Sequence, residues 1–408
     1  MQLVNNGFDI IIVFAIFLFG IGVALMVRRQ FNCSLNRALF LYVWHAFFCM
    51  VYALLMIYMV GDAIAYYERS QNPDLVFEMG TKAVTYFTSI FTYYLDLSFL
   101  ATFFVFHIFG YIGLLAFDGA LRHITYLSSK RVRLLATLIV LLPSVSFWSS
   151  ALGKDAIAFM ATGLTLWAAL DLRQRWKLLA FALAVMLIVR PHVGGILLAA
   201  LSMSFFLLGN FSLVKKVLFS FASVALMVVM LPMLLKFVGL DEGANIESVN
   251  QQIEKRQGYN QHGGGSIDIS EMSLPVQMFT YMFRPLPYEV KNLFGLLTSI
   301  ENMFLMFLLL LALPSIFSNK IKLLVYDAKE NRLFLFIFML LTWMILAMTT
   351  ANLGIASRQK WMFTPIFLYF LFVLIADKSI WIAHIRAQLQ AITENRHNVK
   401  ACVGAKEG

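Results

Sequence analysis

Residues 8–27 read FDIIIVFAIFLFGIGVALMV, a run in which Asp9 is the only ionisable side chain. A helix of about 20 apolar residues is long enough to cross the roughly 30 Å of hydrocarbon in a bilayer. Similar runs recur along the chain, of whose 408 residues 61% are hydrophobic and 13% charged. Soluble domains carry roughly 45–50% apolar and about 25% charged residues. The sequence therefore predicts an all-α, polytopic helical membrane protein.

Eleven apolar runs are candidates for membrane spans. They lie at about 8–27, 39–60, 97–117, 134–148, 156–170, 178–189, 193–209, 217–235, 293–316, 333–349 and 361–376. The run at 178–189 reaches bilayer length only if it includes Arg190. Continuous runs of this kind exclude an outer-membrane barrel, whose strands alternate over about ten residues. We expect one membrane domain at 1–376, followed by a polar tail at 377–408.

The distribution of charge predicts how these spans are oriented. With the N-terminus outside, the inner loops and tail carry 21 of the 32 basic residues and 7 of the 22 acidic ones, a net charge of +14. The outer segments carry the other 11 basic and 15 acidic residues, a net charge of −4. Cytoplasmic loops are enriched in lysine and arginine. We therefore expect an N-out, C-in topology, and the basic pI does not indicate a nucleic-acid partner.

This orientation places two long segments, 61–96 and 237–292, on the outer side, where we expect the functional residues. The glycine run 263–265 in the second segment lacks the lysine, strand and helix of a phosphate-binding loop, and predicts a mobile lid instead. Three cysteines at unrelated spacings indicate neither a disulfide framework nor a metal site.

Asp62 opens the first outer segment and is followed by Tyr66 and Tyr67. A carboxylate at the membrane surface can accept the proton of a sugar hydroxyl, and aromatic rings can seat a sugar ring. The same pattern is consistent with Asp62 capping a span and with both tyrosines belonging to the interfacial aromatic belt. Both interpretations remain open from the sequence.

A short outer turn follows Trp148 and ends in Lys154 and Asp155. These two residues precede the next predicted helix, where free backbone N–H groups and the helix dipole favour an anion. A lysine at that point suits a phosphate group. A simple capping turn with an ion pair is the alternative.

Five of the 11 outer cations lie at membrane boundaries rather than out in a loop. Arg190 is followed by Pro191 and His192 and interrupts an apolar stretch, where ionisable side chains are costly. Cations that only snorkel to the membrane surface are the alternative. The presence of five cations at outer membrane boundaries favours binding of an anion at the outer leaflet, such as a lipid-linked phosphate or diphosphate. The five cations are Lys154, Arg190, Arg284, Arg358 and Lys360.

Together these motifs resemble integral membrane proteins of bacterial surface-polysaccharide clusters. The layout over roughly residues 60–360 is similar to polysaccharide polymerases of the Wzy and EpsG type and, more distantly, to GT-C glycosyltransferases. The resemblance rests on Asp62 with Tyr66 and Tyr67, on Phe147-Trp148-Ser149-Ser150 with Gly153-Lys154-Asp155, on Arg190-Pro191-His192, on Phe283-Arg284-Pro285-Leu286-Pro287, and on Asn352-Leu353-Gly354 with Arg358-Gln359-Lys360.

The resemblance implies a multi-pass glycosyltransferase of the bacterial inner membrane. Its donor would be a polyprenyl-(di)phosphate-linked sugar or oligosaccharide at the periplasmic face, other polysaccharide assembly proteins would be its partners, and Asp62 or His192 would be the base. The cations would neutralise the leaving phosphate, so that neither metal nor cofactor is expected. The expected substrate-binding residues are Tyr66, Tyr67, Trp148, Lys154, Asp155, Arg190, Arg284, Arg358 and Lys360.

Four other functions are compatible with the sequence. A transferase that adds a single sugar would use the same residues. A lipid-linked oligosaccharide flippase would need ionisable groups near mid-membrane and a repeat relating two halves, and we see no such repeat. A membrane acyltransferase would need a catalytic histidine, but His45 and His107 both lie inside apolar runs, where a histidine is more often a core residue than a catalytic one. A structural membrane subunit is the fourth.

The topology gives the first testable prediction. Reporters that are active only outside the cytoplasm, fused within 61–96 or 237–292, should be active, because the charge difference orients both segments outward. Fusions after residue 377 serve as the control and should be inactive. A cytoplasmic location for either segment would contradict both the topology and the site.

Overall fold

In the computed structural model, residues 2–58, 61–208, 265–290, 292–317 and 331–376 are described, together with Phe221 and Gly258. This part of the chain is helical and contains no β-strand beyond an isolated bridge between Ser266 and Asn352. The helices are α1 Gly7–Val27, α2 Leu35–Leu55, α3 Asp62–Ser70, α4 Thr81–Ser89, α5 Phe99–Thr125, α6 Lys130–Val140, α7 Pro143–Ser149, α8 Lys154–Ala169, α9 Leu172–Val189, α10 Pro191–Leu208, α11 Leu274–Phe283, α12 Leu293–Phe317, α13 Arg332–Thr349, α14 Leu353–Gln359 and α15 Thr364–Ala376.

Within the described residues, six helical segments are long and apolar enough to cross a membrane. They are Gly7–Val27, Leu35–Leu55, Phe99–Thr125, Lys130–Ser149, Leu293–Ser315 and Arg332–Thr349. A seventh is the pair Leu353–Met362 and Thr364–Ala376, which is bent by 67°. An all-helical protein with several membrane-length helices is therefore confirmed. The residues outside the described part of the chain include the predicted span at 217–235 except Phe221, residues 237–264 except Gly258, and the tail at 377–408.

Helix α5 forms the centre of the bundle. Most of its side chains are buried, and it packs against α1, α2, α6, α7 and α8. Its contact with α8 is close because two glycines face each other: a Cβ atom at Gly163 would lie 2.5 Å from the carbonyl oxygen of Gly113. Small residues of this kind let helix backbones approach in membrane proteins.

The carboxylate of Asp118, near the C-terminal end of α5, ties three parts of the chain together. Asp118 is fully buried and accepts hydrogen bonds from Arg37 of α2 and from Arg122, whose Nε lies 2.7 Å away. Arg122 also donates to the carbonyl oxygens of Phe31 and Asn32 in the α1–α2 connection. One buried carboxylate thus fixes the positions of α1, α2 and α5 at this end of the bundle.

A second buried polar group joins α2, α5 and α7. The Nδ1 atoms of His45 and His107 lie 2.5 Å apart, and His45 Nε2 lies 2.9 Å from Ser149 Oγ. The Ser149 hydroxyl donates to the carbonyl oxygen of Val145, so His45 Nε2 is the donor toward Ser149 and His107 Nδ1 donates to His45. Both rings are fully buried. They anchor the end of α7, immediately before the turn that carries Lys154 and Asp155.

The short helices α3 and α4 lie near the N-terminal end of α5, opposite to the end that contains Asp118. The N–H group of Gly80 donates to the carbonyl oxygen of Ile188 at 2.7 Å, which ties the α3–α4 connection to the end of α9. The N–H group of Leu353 donates to the carbonyl oxygen of Gly265 at 2.7 Å, and that of Ile267 to Ala351. The two predicted outer segments and the start of α14 are thereby held at defined positions.

Removal of the Asp118 carboxylate should destabilise the protein strongly. Asp118→Asn leaves two guanidinium groups without their counter-charge in a largely buried site, and we expect a loss of about 2–4 kcal/mol of unfolding free energy. Reversible SDS titration of the purified protein would measure it. Glu78→Gln is the control, because Glu78 pairs with Lys82 at the surface and exposed pairs contribute about 0–1 kcal/mol. Equal effects of both substitutions would contradict this role of Asp118.

Candidate functional site

Asp155 lies at the centre of a charged cluster at the α3 end of the bundle. One oxygen of its buried carboxylate accepts a hydrogen bond from Arg190 Nη2, and the other accepts one from Arg358 Nε. Arg358 also donates through Nη1 to Asp62 at 2.7 Å. We call Asp62, Lys154, Asp155, Arg190 and Arg358 the Asp155 cluster. Its charges alternate from the exposed Asp62 inward to Arg190.

Local structure explains why Asp155 and Arg190 occupy these positions. Helix α8 begins at Lys154, directly after Gly153, whose φ of +139° is a conformation that L side chains rarely adopt. Asp155 therefore falls in the first turn, where the helix dipole favours a carboxylate. Arg190 is the residue between α9 and α10, and Pro191 begins the new helix. The Arg190 side chain therefore starts from a break between two helices rather than from a regular helix face.

Arg358 and Asp62 arrive from distant parts of the sequence. Arg358 is in α14, whose N-terminus is capped by the Asn352 side chain through the N–H groups of Gly354 and Ile355. Asp62 is the first residue of α3. Its side chain is 61% exposed, whereas that of Arg190 is 7% exposed. The Asp155 cluster thus has one arm in contact with solvent and one within the bundle.

The two arginines determine the charge state of Asp155. Burial alone would raise the pKa of its carboxyl, but the charges of Arg358 and Arg190, together with their hydrogen bonds, lower that pKa below its usual value. Asp155 therefore stays ionised. Each guanidinium group donates some of its N–H groups to this carboxylate. Another oxyanion, planar or tetrahedral, would therefore also suit the position that the carboxylate occupies.

Lys154 connects the Asp155 cluster to α4. Its Nζ donates to Thr81 Oγ1 at 3.0 Å. The pKa of Lys154 is lowered to about 8, mainly by burial and also by the charges of Arg190 and Arg358, while the carboxylates Asp155 and Asp62 act in the opposite direction. A phosphate arriving beside Lys154 would favour its charged form. Lys154 is therefore a cation whose protonation depends on what lies next to it.

The aromatic residues predicted to seat a sugar occupy different environments. The Tyr66 ring is buried and packs on Gly153, where a Cβ atom would lie 3.1 Å from it. Tyr67 donates its hydroxyl to the carbonyl oxygen of Leu97 at 3.2 Å. Trp148 is partly buried and packs against Tyr52 and Phe294. Of the three, the structure places Tyr66 against the turn that carries the Asp155 cluster.

Arg284 and Lys360, the other two predicted cations, have partners outside the Asp155 cluster. Arg284 forms an ion pair with Glu289 of its own loop, with Nη2 and Oε1 2.5 Å apart. Lys360 is buried, and its Nζ donates to Asn302 Oδ1 and to the carbonyl oxygen of Met282. His192 is partly buried in the first turn of α10. The five predicted cations are therefore divided: three belong to the Asp155 cluster, and Arg284 and Lys360 have other partners.

Two buried donors near Asp155 have no hydrogen-bond acceptor among the described residues. They are Arg190 Nε and the hydroxyl group of Tyr281. Tyr281 is 2% exposed, and its hydroxyl group interacts electrostatically with Arg190 and Asp155. These donors are two of thirteen buried side-chain nitrogen and oxygen atoms without a hydrogen-bond partner among the described residues, and each such group calls for an explanation. The sequence analysis missed Tyr281 because an aromatic residue in the apolar stretch before Arg284 is indistinguishable from a packing residue.

The described residues contain no group of three or more His, Cys, Asp or Glu side chains that could hold a metal ion. Comparison of the chain with protein-family models, with curated proteins and with solved structures finds no significant match. Inference about function therefore rests on the geometry of the Asp155 cluster and on the sequence.

Substitution of Gly153 by alanine should disturb the turn that carries Lys154 and Asp155. An alanine at φ +139° is strained and its Cβ atom would press on the Tyr66 ring, so we expect a loss of about 1–3 kcal/mol. Thermal unfolding in detergent would measure the effect. The matched control is Gly22→Ala in α1, where a Cβ atom meets nothing within 4 Å. A stability loss no greater than that of the control would show that the turn tolerates a side chain.

Proposed function

We propose that the protein is a membrane glycosyltransferase that transfers a saccharide from a polyprenyl-(di)phosphate donor, as a repeat-unit polymerase. The observation that carries the proposal is the pair of buried donors without acceptors, Arg190 Nε and the Tyr281 hydroxyl, beside the cations of the Asp155 cluster. Donors held in a dry site are suited to an oxyanion whose charge grows during a reaction. The phosphate of a lipid-linked saccharide is such an anion.

In the proposed reaction, the donor phosphate approaches from the exposed side of the cluster and replaces Asp62 on Arg358. An acceptor hydroxyl oxygen forms a bond to the anomeric carbon of the donor, and the bond between that carbon and the phosphate oxygen breaks. Arg358, Arg190 and Lys154 neutralise the charge on the departing lipid phosphate. The proton of the acceptor hydroxyl passes to Asp62. Asp62 can act as the base because it no longer pairs with Arg358.

The proposal includes an arrangement in the membrane. It takes the eleven spans and the N-out, C-in topology predicted by the charge distribution, so that the Asp155 cluster faces the periplasm of a bacterial inner membrane. His192, two residues after Arg190, is the alternative base. In this proposal neither metal nor cofactor takes part.

The test is reconstitution of the purified protein in liposomes with lipid-linked repeat units from a bacterial surface polysaccharide. We expect saccharides longer than one repeat to form, with release of the polyprenyl (di)phosphate in equal amount. Lipid-linked units that remain unextended and without phosphate release, in liposomes containing folded protein, would refute the glycosyl transfer.

Asp62→Asn should lower the rate of polymer formation by about 10² or more, because it keeps the size of the side chain but removes its basicity. The amount of folded protein should not change, since Asp62 is exposed. Glu271→Gln, which removes an exposed carboxyl group from the second predicted outer segment, is the control for stability and membrane insertion. A near-normal polymer ladder from Asp62→Asn would assign the base to His192.

A lipid-linked oligosaccharide flippase is the second candidate, and one observation favours it. Glu301 and Lys360 are buried in helical segments of membrane length, with Glu301 accepting the N–H group of Ser144 at 3.0 Å. Buried ionisable groups within spans are typical of transport pathways. Movement of labelled lipid-linked saccharide between leaflets, without elongation, in the same liposomes would support this function.

A further inference from the structure

A pocket whose wall combines polar side chains with the apolar Leu75 and Val76 lies beside the Asp155 cluster, between α3 and α4. Its volume is about 590 Å³, and its walls come from the end of α3, the connection at 71–80 and the first residues of α4. Ligand pockets in proteins have volumes of roughly 300–1,000 Å³. The pocket therefore has the size of a small-molecule site, in the same predicted outer segment as Asp62.

The side chains that line the pocket have unused hydrogen-bonding capacity. Glu68, Arg69 and Asp74 form no ion pair with any residue that the structure describes, and the amide oxygen of Asn72 accepts the N–H group of Asp74 at 3.0 Å. Lys82 pairs with Glu78 at the surface. The wall thus offers carboxylate acceptors, guanidinium donors and a side-chain amide group to a ligand.

The charges of the pocket indicate the chemical class of that ligand. Two acidic residues, Glu68 and Asp74, balance two basic ones, Arg69 and Lys82. A strongly anionic or cationic ligand would meet as many like as opposite charges and gain little. An uncharged molecule with many hydroxyl groups would instead find donors and acceptors on all sides, because charged groups form strong hydrogen bonds with hydroxyls. A saccharide has this chemistry.

Thr81 joins the pocket to the Asp155 cluster. It lines the pocket, and its hydroxyl oxygen accepts the hydrogen bond from Lys154 Nζ. Glu68 lies six residues after Asp62 on α3, which is about 9 Å along the helix axis. A saccharide chain in the pocket could therefore present one of its hydroxyl groups at the Asp62 carboxylate.

We propose that the α3–α4 pocket is a saccharide-binding site that holds the acceptor chain, with Glu68, Asp74 and Asn72 hydrogen-bonded to its hydroxyl groups. This inference rests on the proposed function, since the acceptor is the second substrate of the transfer. It adds a site that recognises the glycan itself, separate from the cations that bind the lipid phosphate.

Binding of a glycan without its lipid tests the site directly. The probe is the oligosaccharide released by mild acid from the lipid-linked repeat units used above, titrated calorimetrically into the full-length protein in nanodiscs. We expect wild-type protein to bind it and the double variant Glu68→Gln/Asp74→Asn to bind about tenfold more weakly, because two charged acceptors are lost. Inorganic pyrophosphate, the second probe, should bind both proteins equally.

The matched control is Asp268→Asn/Glu271→Gln, which removes two exposed carboxylates from the second predicted outer segment. It should bind the oligosaccharide like the wild type, and melting curves should confirm that all variants are folded. Unchanged binding by Glu68→Gln/Asp74→Asn, or no binding by folded wild-type protein, would overturn the site. Elongation by wild-type protein in liposomes would then still support the proposed transfer, so the two failures are distinguishable.

Discussion

The buried carboxylate of Asp155 constrains this end of the molecule. An ionised group away from water needs compensating charge, and here two guanidinium groups supply it. Because Arg190 lies at the break between α9 and α10 and Arg358 lies in α14, the interaction requires α8, the α9–α10 junction and α14 to meet at one point. The exposed Asp62 at the start of α3 also pairs with Arg358, so the cluster extends from the buried carboxylate to the solvent.

A rigid scaffold makes that meeting possible. The glycine contact between α5 and α8 allows the two backbones to approach, and α8 then presents Lys154 and Asp155 from its first turn. The buried pair His45 and His107 anchors the preceding helix through a serine. Most of the charged groups therefore lie on helices that packing and hydrogen bonds fix in position. Preorganised electrostatic stabilisation requires such fixed positions.

Much of the candidate site could be predicted from local sequence signals. A break at Arg190 follows from Pro191, whose backbone preference acts locally. The sequence also predicted a helix start next to Lys154 and Asp155, but placed both residues just before the helix, whereas they lie in its first turn. The sequence could not predict which cations share a site, because an arginine that snorkels to the membrane surface and one that binds a ligand occur in the same sequence pattern. Arg284 illustrates this: its partner Glu289 is five residues away, yet the sequence placed it with Arg190 and Arg358.

By itself the sequence determined that the chain is helical and belongs in a membrane, since apolar runs of bilayer length leave backbone groups no partner other than their own helix. It also singled out Lys154, Arg190 and Arg358, which the structure places in one cluster. Only the tertiary structure decided which charges share a site, because the pairs that form the Asp155 cluster join residues 35, 203 and 296 positions apart. Burial and ion pairing at such separations depend on how the helices pack, and no local pattern encodes that packing.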